Sequence, residues 1–118
     1  MNEGKSVRIG IPSRSGFDVA LFPLHGRKLV VFELGPGGEQ RGQQVVDLPR
    51  DQVERARLIA ETCDVLLTRE ANRDFLMETW SRGVDVLITD DRRAETALFN
   101  YIRGKARPFT GGPCACGG

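Results

Sequence analysis

Apolar residues along this chain fall into two patterns, with a period of two in the first half and a mixture of short continuous runs and helical spacing in the second. Val7, Ile9 and Ile11 alternate with smaller or polar neighbours, which predicts a first strand over Ser6–Ile11 that stops at Pro12, a residue with no N–H for a sheet ladder. Phe17–Leu21 reads as a short second strand and Lys28–Leu34 as a third, ended by Gly35-Pro36-Gly37-Gly38. Arg41–Leu48 is the returning strand of that hairpin, so the first half is an antiparallel meander with a loop at residues 23–27.

Beyond Arg50 the period changes. Val53, Ala56, Ile59, Ala60 and Cys63 predict an amphipathic helix, with Pro49 suited to its first turn and Asp51 and Glu54 near its positive end. Two similar units follow. Residues 64–68 form a strand-length apolar run before a helix marked by Ala71, Phe75, Leu76, Thr79 and Trp80 and ended by Gly83. Residues 85–89 nearly repeat that run before a helix marked by Ala94, Ala97, Leu98, Tyr101 and Ile102 and ended by Gly104. Continuous apolar strands alternating with helices predict parallel strands covered on both faces. The expected fold is therefore α/β, with an antiparallel N-terminal meander and parallel C-terminal strands under three helices. Beyond Gly104 the chain loses periodicity and is expected to be a mobile tail, with a domain over residues 1–108 and a Gly/Cys-rich end over 109–118.

Composition fits one domain of this kind: 118 residues, 40% hydrophobic and 28% charged. Seventeen Lys+Arg against sixteen Asp+Glu leave a net charge of +1, too little for a nucleic-acid partner held by its phosphates. No apolar stretch implies a membrane partner, and without a secretion signal the cytoplasm is the expected location. Three cysteines argue against a disulfide framework.

Several local pieces, in this order, resemble the NifX/NifB C-terminal family, the dinitrogenase iron-molybdenum cofactor biosynthesis domain. They are Arg8-Ile9-Gly10-Ile11-Pro12-Ser13, Gly26-Arg27 before Leu29–Leu34, Cys63-Asp64-Val65-Leu66-Leu67, Gly83-Val84-Asp85-Val86 and Tyr101-Ile102-Arg103-Gly104. The resemblance spans about residues 6 to 108. It implies a ribonuclease H-like three-layer fold, a cargo such as an iron-sulfur cluster or an iron-molybdenum cofactor precursor, and cofactor-assembly proteins as partners. Two positions depart from the family. Its His-Phe-Gly-Arg is Leu24-His25-Gly26-Arg27 here, and its glycine-rich turn after the strand at residues 64–68 is Arg69-Glu70-Ala71-Asn72.

Candidate chemistry is sparse. His25, the only histidine, could offer an imidazole nitrogen to a transition metal or simply be an exposed loop residue. Arg27 could pair with an anionic ligand or solvate the same loop. Cys114 and Cys116 form a Cys-x-Cys pair suited to a soft metal or cluster, and equally to an unliganded end. A closed zinc site would require the tail to fold back on Cys63 and His25, whereas Cys63 alone reads as a small core residue. Ligands of open α/β sheets meet the carboxyl ends of the strands, which brings forward residues 68–70 and 89–93, with Thr89, Asp90 or Asp91 expected to cap the last helix.

No nucleophile motif or phosphate loop is present. The first strand lacks the acidic residue that a ribonuclease H-type nuclease needs. The expectation is a non-enzymatic carrier or accessory protein. A protein-interaction module that kept the fold without the cluster, and a zinc- or copper-binding protein, are the alternatives.

Overall fold

The computed structural model describes residues 6–109. Its elements are β1 (Val7–Ser13), a 3₁₀ turn (Pro23–His25), β2 (Lys28–Leu34), β3 (Gln40–Asp47), α1 (Gln52–Thr62), β4 (Val65–Thr68), α2 (Arg73–Ser81), β5 (Asp85–Ile88), α3 (Ala94–Ile102) and β6 (Arg107–Pro108). All six strands belong to one sheet, in the order β3-β2-β1-β4-β5-β6. β1, β2 and β3 are antiparallel neighbours, β1, β4 and β5 run parallel, and β6 returns antiparallel along β5. The expected mixed sheet with three helices is thus present.

The continuous apolar runs follow from burial on both faces. On one side Leu29, Val31, Leu66, Val86 and Ile88 pack with Ala56 and Ile59 of α1 and with Phe75 and Leu76 of α2. On the other, Val30, Phe32, Val65 and Leu67 pack with Ala94, Ala97 and Leu98 of α3. Successive strand residues point to opposite faces, so both kinds of position must be apolar. Each fully buried Leu, Ile or Phe of this set contributes about 1.5–3 kcal/mol. α1 begins where the Asp51 carboxylate accepts from the Glu54 amide at 2.9 Å, and Gly83, at φ 93°, follows the end of α2 in a conformation other residues avoid.

Four local expectations differ from the structure. Pro12 does not end β1, which continues to Ser13. The Pro12 carbonyl accepts from the Ala20 amide at 2.8 Å, away from β2, so its nitrogen also faces away from β2 and the missing N–H costs that ladder nothing. Phe17–Leu21 is not a strand: Asp18 makes only an isolated bridge to Arg93, and its carboxylate organises the segment as a turn. Trp80 lies on the exposed side of α2. Finally, the chain after Gly104 is ordered through Phe109. Arg107 and Pro108 pair with Ile88 and Leu87, and Phe109 inserts into the core.

Gly10 of β1 is required by a close approach. A methyl group there would lie 2.6 Å from Cys63 Sγ and 3.2 Å from a Leu29 methyl. Gly10→Ala is expected to destabilise the domain by about 1–3 kcal/mol in urea unfolding, as overpacking does. Introducing Cys63→Ala alongside it should recover part of that loss, and equal cost in both backgrounds would show that the thiol is not the obstacle.

Candidate functional site

Three loops meet at the carboxyl ends of the parallel strands: residues 14–27 after β1, 69–72 after β4 and 89–93 after β5. They form an open groove of about 410 Å³ lined by Arg14, Asp18, Val19, Leu21, Arg69 and Arg92. Each loop supplies one arginine. The first and third loops are joined through their backbones: the Val19 amide donates to the Arg92 carbonyl at 2.7 Å and the Ala94 amide to the Phe17 carbonyl at 2.8 Å. The first N–H of α3 is therefore satisfied by a neighbouring loop. The expected capping by Thr89, Asp90 or Asp91 is absent: Arg93 is the N-cap residue and its side chain makes no cap bond. Asp91 instead accepts from the Thr89 hydroxyl at 2.8 Å and from the Asn100 amide group at 3.0 Å.

Asp18 holds the first loop in shape. One carboxylate oxygen accepts from the Ser13 hydroxyl (2.6 Å), the Arg14 amide (3.0 Å), and the Ser15 amide (2.8 Å) and hydroxyl (2.7 Å). Burial by itself would raise its pKa. The donors from Ser13, Ser15 and Arg14 outweigh that effect and hold it down to about 2. With a folded value below the ordinary 3.8, this group stabilises the fold above about pH 4, and that contribution is lost as pH falls toward 2. After allowance for solvent screening it amounts to about 1–2 kcal/mol. Asp18→Asn should flatten the acid limb of a stability-against-pH curve, and an unchanged limb would rule out this latch.

Because Asp18 is committed to serine and backbone donors, it leaves the groove cationic. Among the described residues, none of Arg14, Arg69 and Arg92 has an ion-pair partner. The nearby carboxylates of Glu70 and Asp90 are engaged by Arg107, at 3.7 and 3.2 Å. Three guanidiniums around a groove whose lining includes one carboxylate, Asp18, leave it net positive, with planar forked donors suited to oxygen or sulfur acceptors.

His25 and Arg27 are exposed at the same pole but do not line the groove. Their loop is anchored from beneath by Arg55 of α1, which is 2% exposed. Its guanidinium donates to the carbonyls of Pro23 (3.0 Å), Gly26 and, through Nε, Pro49 (3.1 Å). Burial and the charge of Arg27 both lower its pKa, yet a guanidinium remains charged. Asn72, left-handed at φ 51°, links the β4–α2 turn to this loop by accepting from the Leu24 amide at 3.4 Å.

Cys63 lies at the opposite end of the sheet, before β4, with its thiol donating to the Ile59 carbonyl at 3.2 Å. Burial, reinforced by Asp64, pushes the thiol up to about 12, so it is neutral at ordinary pH. Cys114 and Cys116 lie outside the described residues. Among the described residues no three His, Cys, Asp or Glu side chains are grouped to hold a metal ion. No helix among them is long and apolar enough to cross a membrane. The strand-end rule points to residues 68–70 and 89–93, and so to Arg69 and Arg92. Arg14, Asp18 and Arg55 fall outside that rule; Arg14 and Asp18 are signalled only by the polar run Ser13-Arg14-Ser15-Gly16-Phe17-Asp18, and Arg55 by nothing in the sequence.

The fold and groove define a small α/β domain with a positively charged groove at its strand ends. No family model matches the sequence, and no curated protein matches it. Solved structures match the fold. The crystal structure of a candidate dinitrogenase from Methanocaldococcus jannaschii aligns with a TM-score of 0.72 at 8% identity, covering 90% of this chain and 97% of that one. The apo form of the orange protein from Desulfovibrio gigas aligns with a TM-score of 0.72 at 15% identity, covering 92% and 97%. A candidate NifB protein from Thermotoga gives 0.63 at 16%, covering 88% and 94%. The chain shares the fold of these three proteins.

Proposed function

We propose that this chain is a small carrier or accessory protein for iron-sulfur cofactor precursors of the iron-molybdenum type, with a binding rather than a catalytic role. The observation that carries this reading is the convergence of Arg14, Arg69 and Arg92, without ion-pair partners among the described residues, at the carboxyl ends of three parallel strands. Metal-sulfur precursors of this type are anionic, and guanidinium donors grip such a cargo without replacing its ligands. His25, on the anchored loop at the same pole, is the candidate for one direct bond to metal. Arg27 beside it adds positive charge, and Cys114 and Cys116 remain candidate thiolate ligands. The names of the structural neighbours, a dinitrogenase and a NifB protein, support the same theme. The order β3-β2-β1-β4-β5 with β2 antiparallel supports the ribonuclease H-like description of the fold.

Anaerobic reconstitution with iron and sulfide, with and without molybdate, tests this reading. Retained iron and sulfide with charge-transfer absorption are expected, weakened by His25→Ala. Colourless protein without iron would overturn the carrier role, and zinc or copper retained alone would point to a simple metal-binding protein. A second reading, a protein-interaction module, is favoured by Phe17 (75% exposed) and Leu21 (55%) beside the groove. Partner binding that survives loss of His25, Cys114 and Cys116 but not Phe17→Ser would select it.

A further inference from the structure

We infer that the free edge of β3 is a self-association seam, through which two copies of this chain join their sheets about a two-fold axis at Gln44. Among the described residues β3 is the outermost strand at its end of the sheet, and it is eight residues long. The Leu48 amide donates to the Arg27 carbonyl, so by alternation Leu48, Val46 and Gln44 turn their backbone groups toward β2. Gln43, Val45 and Asp47 turn theirs outward. Edges of this length are normally blunted by lysine, proline or a covering element. Gln40–Asp47 contains neither lysine nor proline, and most of its side chains are exposed. A bulge at Glu33 and Leu34, which leaves Arg41 as the extra residue, interrupts only its first part.

The sequence of the edge is complementary to itself. A two-fold axis at Gln44 pairs Gln43 of each copy with Val45 of the other, both with outward backbone groups, forming about four new backbone hydrogen bonds. The same register sets Arg41 opposite Asp47 at both ends. In the single chain these two side chains hold exposed ion pairs, Arg41 with Glu39 at 3.3 Å and Asp47 with Lys28 at 3.2 Å. Exposed pairs of this kind are exchanged at little cost. Val45, 49% exposed, is then covered by the second copy's Gln43. An occupant with the same strand therefore meets both the charge pattern and the hydrogen-bonding parity of this edge.

The test is sedimentation equilibrium of the full chain over a concentration series up to about 1 mM, the range in which a weak edge contact registers. The average mass is expected to rise toward twice that of the chain. Val45→Pro removes an outward donor without touching the β2 ladder and should hold the protein at monomer mass, with circular dichroism confirming that it is folded. Asp47→Arg should do the same by repulsion from Arg41, and Arg41→Asp added to it should restore the dimer. In a Cys114→Ser, Cys116→Ser background, Gln44→Cys should cross-link on mild oxidation. Its two introduced thiols would sit on a non-hydrogen-bonded pair with Cα atoms about 4.5 Å apart. Monomer mass throughout the series overturns the seam, and cross-linking by Val45→Cys in place of Gln44→Cys overturns the register.

Discussion

Arg55→Ala is expected to lower the stability of the domain by about 3–5 kcal/mol, more than any other single change outside the apolar core. Three carbonyls, from Pro23, Gly26 and Pro49, lose a charged donor at once, and hydrogen bonds to charged groups are worth about 1.5–3 kcal/mol each. Part of that loss is offset because a buried cation without a carboxylate partner is itself costly to desolvate. The net effect corresponds to a melting temperature lower by about 10 °C or more. Arg55→Lys keeps the charge but not the fork, so it should fall between alanine and the parent. Arg55→Met fills the volume without donating. If methionine were as stable as arginine, the clamp would contribute only packing. Amide exchange at residues 23–27 should accelerate in both Ala and Met variants, because the loop bearing His25 loses its anchor.

The second large effect concerns binding. Replacing Arg14, Arg69 or Arg92 singly by glutamine is expected to weaken capture of tetrathiomolybdate or molybdate by about tenfold to a hundredfold, the range of one charge-assisted contact. The triple replacement should abolish measurable binding by isothermal titration calorimetry, with Arg57→Gln on α1 as an unaffected control. Because the groove is open, rising salt should weaken the parent as well. Undiminished binding by the triple variant would dismiss the groove as the anion site.

Much of the architecture could be read from periodicity. β4 and β5 were recognisable because both of their faces are buried, so Val65-Leu66-Leu67 and Val86-Leu87-Ile88 carry no polar position. β6 was not recognisable, since a two-residue strand has no period and is fixed by its pairing to β5 and by the burial of Phe109. Trp80 sits at helical spacing yet is exposed, because periodicity gives a face with a margin of one residue on either side. The site was legible as a place rather than as a set of residues. Strand ends pointed to residues 68–70 and 89–93, but the return of Arg14 toward them depends on the Asp18 turn, whose bonds reach three to five residues in a way no alternation records. Arg55 was hidden for a different reason. An arginine in a helix rich in charge reads as solvent-facing, and its burial depends on two loops far apart in sequence.

The backbone bonds between Val19 and Arg92 and between Ala94 and Phe17 have a mechanical consequence. They make the walls that carry Arg14 and Arg92 a single stiff jaw, since neither loop can shift without breaking main-chain bonds of 2.7–2.8 Å. The wall that carries Arg69 joins this assembly at Thr68, whose carbonyl accepts from the Thr89 amide at 2.8 Å, and beyond Thr68 it is held by the longer 3.4 Å side-chain bond from Leu24 to Asn72 and the exposed Glu70–Arg107 pair. The β4–α2 turn beyond Thr68 is thus the more compliant wall, and its displacement is the expected route by which an anion held as proposed would leave.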